Sequence, residues 1–442
     1  MSGARGRWTS VGIPATVVLL AAILRLWGLG SPPNLYWDEQ YYVFDASVYL
    51  GGGIGQPIPG APDAKIAEEG TWVHPPMGKW IIALLGVGPL GLRAIGWRLP
   101  SALFGTVGVA LLYVLALRLW KSIWWAGLAA LLLALDGLHI VQSRVAMLDI
   151  FLTTFVIAGA LFVVLDRERT SSAVALGRWP RVERLFGSPY RLWAGATFGA
   201  ATATKWAGAY ALLIGAILCT TWLLPRARRG GRSVVATAGT LVASFAVVPL
   251  LVYLLSYGAF FYQHGFAVHG FATLQLRMFE YQRHHSRTQP ENSLPWTWPL
   301  LLHPIQYFAL VKGSSTSRIV ALANPALWWG FLALLPWGLV RLVRSRTWQD
   351  AVAVGGFAAM YAPWLLVPRT QFIYYMTPAV PFVCLCVTSW LRALPERASR
   401  PAGIAFAAAV IVVAAAFMPI WTGWWFPARW SAALRWLHTW PL

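Results

Sequence analysis

The feature that most constrains this chain is the recurrence of long apolar runs, from VGIPATVVLLAAILRLWGLG at residues 11 to 30 onward through the whole sequence. Many approach the roughly twenty residues a helix needs to cross a bilayer. With 58% hydrophobic and only 11% charged residues, the 442-residue chain reads as an all-α polytopic membrane protein. Its net charge of +20 would point to nucleic acid in a soluble domain, but the Lys and Arg cluster in short links between apolar runs, as topogenic signals do. No nucleic-acid partner is expected. Cys219, Cys384 and Cys386 lie inside apolar runs and suit neither a disulfide framework nor a zinc site.

Charge placement sets the expected orientation. Arg5 and Arg7 precede the first run, no small-residue cleavage site follows it, and so the N-terminus is placed in the cytoplasm with an uncleaved first span. The stretch WIIALLGVGPLGLRAIGW, residues 80–97, is apolar enough to cross. If it did, the basic clusters around Arg118, 166–191 and 226–232 would all fall outside, so it is read as interfacial or re-entrant. That parity gives about eleven spans, from 11–30 to 403–421, and an outside C-terminus. The chain is then one integral membrane domain, 1–442, with two long outer segments. Residues 31–99 form the first; residues 256–323, too rich in aromatics for a solvated linker, form a partly helical interfacial cap.

This topology gathers polar residues at the outer face: Asp38 and Glu39 in NLYWDEQYY, His74 and Lys79 in HPPMGK, Arg98 in RLPS, Arg144 and Asp149 in SRVAMLD, Lys205 in ATKW, and Arg369 in PRTQFIYY. Taken singly, each has a bland reading as a snorkelling anchor at a span end, and the DE pair as a helix cap in an aromatic belt. Their convergence on one face favours chemistry. Arg25, in the middle of the first span, is read as a snorkelling or helix-pairing residue. A transporter would place charges near the bilayer middle on broken, paired helices, whereas these sit at one face.

Taken in order, the DE pair, HPPMGKWIIALLG, SRVAMLDIFLTTFV, ATATKWAGAYAL, PWTWPLLLHPIQYF, NPALWW and FIYYMTPAVPF resemble the protein O-mannosyltransferases, in particular the compact actinobacterial type, over residues 31 to 390. The resemblance implies a GT-C glycosyltransferase of the plasma membrane with its active site on the extracytoplasmic face. It implies mannose transfer from polyprenyl-phosphate-mannose to Ser or Thr of secreted or cell-surface proteins, coupled to export. The chain lacks the large soluble insert that eukaryotic relatives carry in the second long outer loop. A transferase of another sugar, such as an arabinose-type unit, to lipid or glycan would share the donor site and differ at the acceptor.

The chemistry fits that implication. A polyprenyl phosphate is already a stable leaving group, so the protein must supply a base and a cationic clamp and needs no general acid. Adjacent carboxylates point in different directions and cannot straddle one glycosidic bond, so one acts alone. Asp38 is assigned as the base of an inverting displacement, and Glu39 to orienting the acceptor or a cation. Arg98, Arg144, Lys205 and Arg369 are the candidates for the donor phosphate. His74, Lys79, Asp149, Tyr374 and Tyr375 complete the candidate site. No cofactor is expected, and no residue spacing suggests a metal.

Overall fold

The computed structural model describes residues 2–51, 72–175, 187–229, 233–266, 268–284 and 291–442. Helix α1 (Ser2–Leu26) leads into a loop that ends at α2 (Glu39–Tyr49). Helix α3 (Met77–Ile82) continues through a wide turn at Ala83–Val87 and stops before Gly91, whose φ of +77° few other residues adopt. Helix α4 (Ala94–Trp120) begins three residues later. The 80–97 stretch is therefore a bent pair of helix ends and not a single span. Its two arms touch so closely that a Cβ on Gly86 would lie 2.3 Å from the Gly96 carbonyl oxygen.

The helical body continues with α5 (Ile123–Ala134), α6 (Gly137–Gln142), α7 (Asp149–Ala175), α8 (Pro189–Thr204) and α9 (Gly208–Arg229). Helices α10 (Val234–Val242) and α11 (Val248–Ser256) are joined by a wide turn into one rod. Next come α12 (Gly258–His264) and α13 (Val268–His284). After a small sheet follow α14 (Pro325–Ser345), α15 (Trp348–Tyr361), a 3₁₀ turn at Ile373–Ala379 running into α16 (Val380–Arg392), α17 (Glu396–Thr422) and α18 (Ala428–Ala433). Helical structure stands at each place where a span is expected, but the one expected at 123–141 is broken between α5 and α6. Among the described residues, seven helices are long and apolar enough to cross a membrane, and those at 123–134, 189–204 and 348–361 are shorter.

The chain is not helical throughout. Within the segment expected as a partly helical cap, β1 (Ile305–Lys312) and β2 (Ser315–Ala321) form an antiparallel hairpin, and β3 (Phe426–Pro427) adds to β2. The turn is Gly313-Ser314, with Gly313 at φ +59°, the conformation a two-residue hairpin favours. The register slips between Gln306 and Phe308, leaving Tyr307 as a bulge.

Helix α7 is the centre of the bundle and packs against α4 and α8. Arg25 is fully buried where α1 meets the break between α5 and α6. It donates to Ser143 Oγ at 3.2 Å and to the Ala21 and Ala134 carbonyls at 3.1 and 3.4 Å, and meets His139 Nδ1 at 2.8 Å. It pairs helices and does not snorkel.

Candidate active site

Trp37 adopts φ +54°, the left-handed region, which costs a non-glycine residue on the order of 1–2 kcal/mol. Its surroundings hold it there: the indole stacks on Tyr307 with centroids 5.1 Å apart and meets Phe372 edge-on at 5.9 Å. The following residue, Asp38, precedes α2 without using its side chain as a cap. The helix-cap reading of the DE pair therefore fails. Half-buried, the Asp38 carboxylate accepts a 3.3 Å hydrogen bond from the Tyr374 hydroxyl. Burial pushes its carboxyl up to about 6, with Asp149 adding to the rise while Lys205 and the Tyr374 bond oppose it.

Glu39, the next residue, is fully buried and fully engaged. Its two oxygens accept from Arg98 Nε and Nη2 at 2.8 and 2.9 Å, from the Ala146 amide at 3.0 Å and from the Tyr36 amide at 3.3 Å. The cation it orients is Arg98, and the contacts leave it no free oxygen for an acceptor. Arg98 uses its remaining N–H groups on the carbonyls of Leu29, Pro32 and Asn34, at 3.3, 2.6 and 2.8 Å. Arg144 donates from Nη1 to the carbonyls of Leu24, Arg25 and Trp27 at 2.9–3.1 Å and more weakly from Nη2 to those of Gly28 and Thr422 at 3.4 Å. These are the orphan carbonyls of two helix ends. Arg98 and Arg144, expected at the donor phosphate, instead fasten the first outer loop and the end of α1. Lys79 is also turned to structure, in a fully buried 2.8 Å ion pair with Asp45.

The other candidates surround a cavity of about 290 Å³ lined by Val73, His74, Pro75, Asp149, Leu152, Lys205, Trp206, Ala207, Tyr210, Met278, Phe279, Gln282, Arg283, Trp364, Leu366, Val367, Pro368, Arg369 and Tyr375. Lys205, where α8 ends, reaches Asp149 Oδ2 at the start of α7 at 2.7 Å and lies 5.5–5.7 Å from the ring centres of Tyr374 and Tyr375. Arg369 donates to the Tyr375 hydroxyl at 2.8 Å and to Gln282, while its buried Nε has no partner among the described residues. His74 is held well below the usual histidine range, by burial first and then by Lys205, Lys79 and Arg369, so it is neutral at physiological pH. The HPPMGK glycine has a packing reason: a Cβ on Gly78 would lie 2.7 Å from Leu148 Cδ2. Among the described residues, no group of three or more His, Cys, Asp and Glu is placed to hold a metal.

Sequence reasoning missed Trp37, Tyr307 and Gln282. Gln282 lies on α13, one turn beyond Met278, and with Met278 and Phe279 forms one wall of the cavity; its amide also donates to the Val73 carbonyl at 2.9 Å. The amphipathic pattern of α13 was a visible signal, but a neutral amide carries no charge to draw attention to it.

Below the cavity the same helix faces continue. Val156, Ala160 and Val163 follow Leu152 on α7 at three- and four-residue spacing, and Ala211, Ile214, Gly215 and Leu218 follow Tyr210 on α9. With Val352, Gly356, Ala359 and Phe382 they line an apolar groove.

Residues 15–264 match the family described as dolichyl-phosphate-mannose-protein mannosyltransferase, and residues 267–440 match the C-terminal four TMM region of protein-O-mannosyltransferase. The chain is 30% identical to the polyprenol-phosphate-mannose–protein mannosyltransferase of Mycolicibacterium smegmatis, over 92% of this chain and 89% of that one. To its Corynebacterium glutamicum counterpart it is 28% identical, over 96% and 92%. In fold it is similar to the S. cerevisiae protein O-mannosyltransferase Pmt1-Pmt2 complex bound to the sugar donor, with a TM-score of 0.80 at 14% identity over 98% of this chain and 93% of that one. ArnT from Cupriavidus metallidurans bound to undecaprenyl phosphate follows, with a TM-score of 0.56 at 15% identity over 94% and 74%. The fold is that of the GT-C glycosyltransferases.

Proposed function

This chain belongs to the dolichyl-phosphate-mannose-protein mannosyltransferase family, and from that premise we propose that it moves mannose from polyprenyl-phosphate-mannose to Ser or Thr hydroxyls of exported proteins in one inverting displacement. Asp38 takes the hydroxyl proton as the oxygen attacks the anomeric carbon, and the polyprenyl phosphate leaves. The observation that carries this reading is the contrast within one dipeptide: Glu39 is engaged on every side, while half-buried Asp38 is held by the single hydroxyl of Tyr374, whose ring centre lies 5.7 Å from Lys205 in the cavity wall.

Phosphate binding falls to Lys205 and Arg369. Arg369 has a buried N–H to offer, and Lys205, paired with Asp149, can share its charge with a second anion without leaving Asp149 bare. Tyr374 and Tyr375 hold these cations by their ring faces and position Asp38 and Arg369 through their hydroxyls. His74, neutral in the cavity wall, suits a hydrogen bond to the sugar and not a charge on the phosphate. No cofactor enters this scheme.

In this proposal the protein is one membrane domain in the plasma membrane, with the cavity on the extracytoplasmic face, the N-terminus in the cytoplasm and the acceptors arriving from export. Both outer segments, 31–99 and 256–323, contribute described residues to the cavity wall, His74 from the first and Met278, Phe279 and Gln282 from the second. Incubating the purified protein with polyprenyl-phosphate-mannose and an Ala/Pro/Thr-rich peptide should add one hexose mass to the peptide. Transfer of a different lipid-linked sugar in place of mannose would overturn the donor assignment. A cysteine introduced near Arg118 should stay unlabelled by an impermeant reagent in intact cells; labelling would reverse the orientation.

A further inference from the structure

Asp38 stands between two sets of neighbours. One is the donor cavity with Lys205, Arg369 and Tyr375; the other is the stack of Trp37 on Tyr307, and neither of these lines that cavity. Tyr307 is the bulged residue of β1, and β1 is an edge strand in the order β1-β2-β3. Lys312 and Ser315 flank the two-residue turn, so the pairs 312–315, 310–317 and 308–319 exchange the ladder hydrogen bonds. The Leu310 carbonyl faces β2 accordingly, where Thr316 Oγ1 donates to it at 3.2 Å. Ala309 and Val311 must then turn their N–H and C=O groups away from the hairpin. Among the described residues, no backbone group outside β2 pairs with this strand.

Among the described residues the edge is open, and it is apolar. Val311 is 61% exposed and Leu310 50%, with Lys312 at the end as the strand's one charge. Natural edge strands are commonly blunted by charge, proline or a covering element, and one left bare is a template for another extended chain.

We propose that the free edge of β1 takes the acceptor as an added strand, reading the backbone of an extended Ser- or Thr-bearing segment, and that the bulge at Tyr307 leads that segment to Asp38. The inference rests on the mannosyl-transfer reading and names how its acceptor is recognised. An in-line displacement needs the hydroxyl to arrive from the side away from the leaving phosphate, and Tyr307 of β1, which stacks on the residue before Asp38, lines no part of the donor cavity. At about 3.3 Å per strand residue, Ala309 and Val311 lie roughly 7 and 13 Å along from Tyr307. The amides that are read are therefore about two to four residues from the modified hydroxyl. Backbone pairing tolerates many side chains, so specificity would lie in an extended conformation more than in a sequence motif.

The test is an N-methyl scan of a Thr-containing acceptor peptide with the wild-type full-length enzyme and polyprenyl-phosphate-mannose. Methylation at alternate residues on one side of the Thr should raise KM about tenfold or more, with the intervening positions nearly neutral. The variant Val311→Pro, which removes an outward N–H and no ladder bond, should raise KM for the unmodified peptide. A scan without alternation, or one with no effect at any position, overturns the proposal whatever the variant does. N-acetylthreonine N-methylamide, too short to reach Val311, separates the two readings. If the wild-type enzyme mannosylates it while the scan is flat, only the edge-strand inference fails; if neither acceptor is mannosylated, the transfer reading fails and this inference with it.

Discussion

Two polar clusters meet at the DE pair and behave in opposite ways. Behind Glu39, Arg98 gives all its donors to carboxylate and carbonyl oxygens inside the fold, and Arg144 gives Nη1 to the carbonyls at the end of α1. Around Asp38, Lys205 and Arg369, bonds are fewer, a buried N–H of Arg369 is unpaired among the described residues, and Lys205 and Arg369 border a cavity. A charge whose hydrogen bonds are complete in the protein holds shape. One with capacity left beside a cavity is placed to meet a substrate.

The comparison breaks most readily at Arg98. Arg98→Ala leaves Glu39 buried without its partner, a loss of about 3–5 kcal/mol, and should lower the thermal unfolding midpoint of the detergent-solubilised protein and its yield in the membrane. If the variant unfolds normally but binds polyprenyl-phosphate-mannose weakly, Arg98 belongs with the cavity after all. Asp38→Asn should do the reverse, cutting mannosyl transfer by about a hundredfold or more with the unfolding midpoint and donor binding retained. Near-normal turnover would move the base elsewhere, with Asp149 next in line.

Smaller effects sharpen the division. Arg369→Ala should weaken donor affinity by about tenfold, read as Kd for the lipid donor, because one charge-assisted contact is removed. Unchanged donor affinity with a raised peptide KM would reassign Arg369 to the acceptor. The smallest effect is in the pH profile. Since burial lifts the Asp38 carboxyl to about 6, the group is protonated and inactive as a base below that value, and kcat/KM should rise with pH through about 6 and then level. Tyr374→Phe removes a bond that favours the carboxylate, so the midpoint should move to higher pH. A midpoint unmoved by this change would mean that Asp38 does not set the profile.

How much of this could be read in the sequence follows the same division. Apolar run length gave the helical membrane class, and the positions of Asp38, His74, Lys205 and Arg369 were visible as polar residues in the wrong solvent. The roles of Arg98 and Arg144 were hidden because their partners are mostly backbone carbonyls, exposed only once particular helices end at particular places; nothing in RLPS or SRVAMLD names Leu29 or Trp27. Gly78 was legible as part of a motif, but its reason, Leu148, lies on another segment. The hairpin was the avoidable miss. IQYFALVKGSSTSRIVALA carries strand formers around a Gly-Ser turn, and a count of aromatics alone drew attention to the membrane interface instead.

Arg144 also joins parts of the chain that are synthesised far apart in time. Its guanidinium gathers carbonyls at the end of α1 and one more from Thr422 at the end of α17, and Ser317 of β2 donates to the neighbouring Gly423 carbonyl at 2.7 Å. Helix α17 is synthesised long after α1, the DE pair and the cavity helices. The seat of the end of α1 thus receives a contact from a segment that is synthesised late. The first and last long helices of the chain are thereby tied at one point, so truncating the protein before α17 would remove a contact that the loop leading to Asp38 uses.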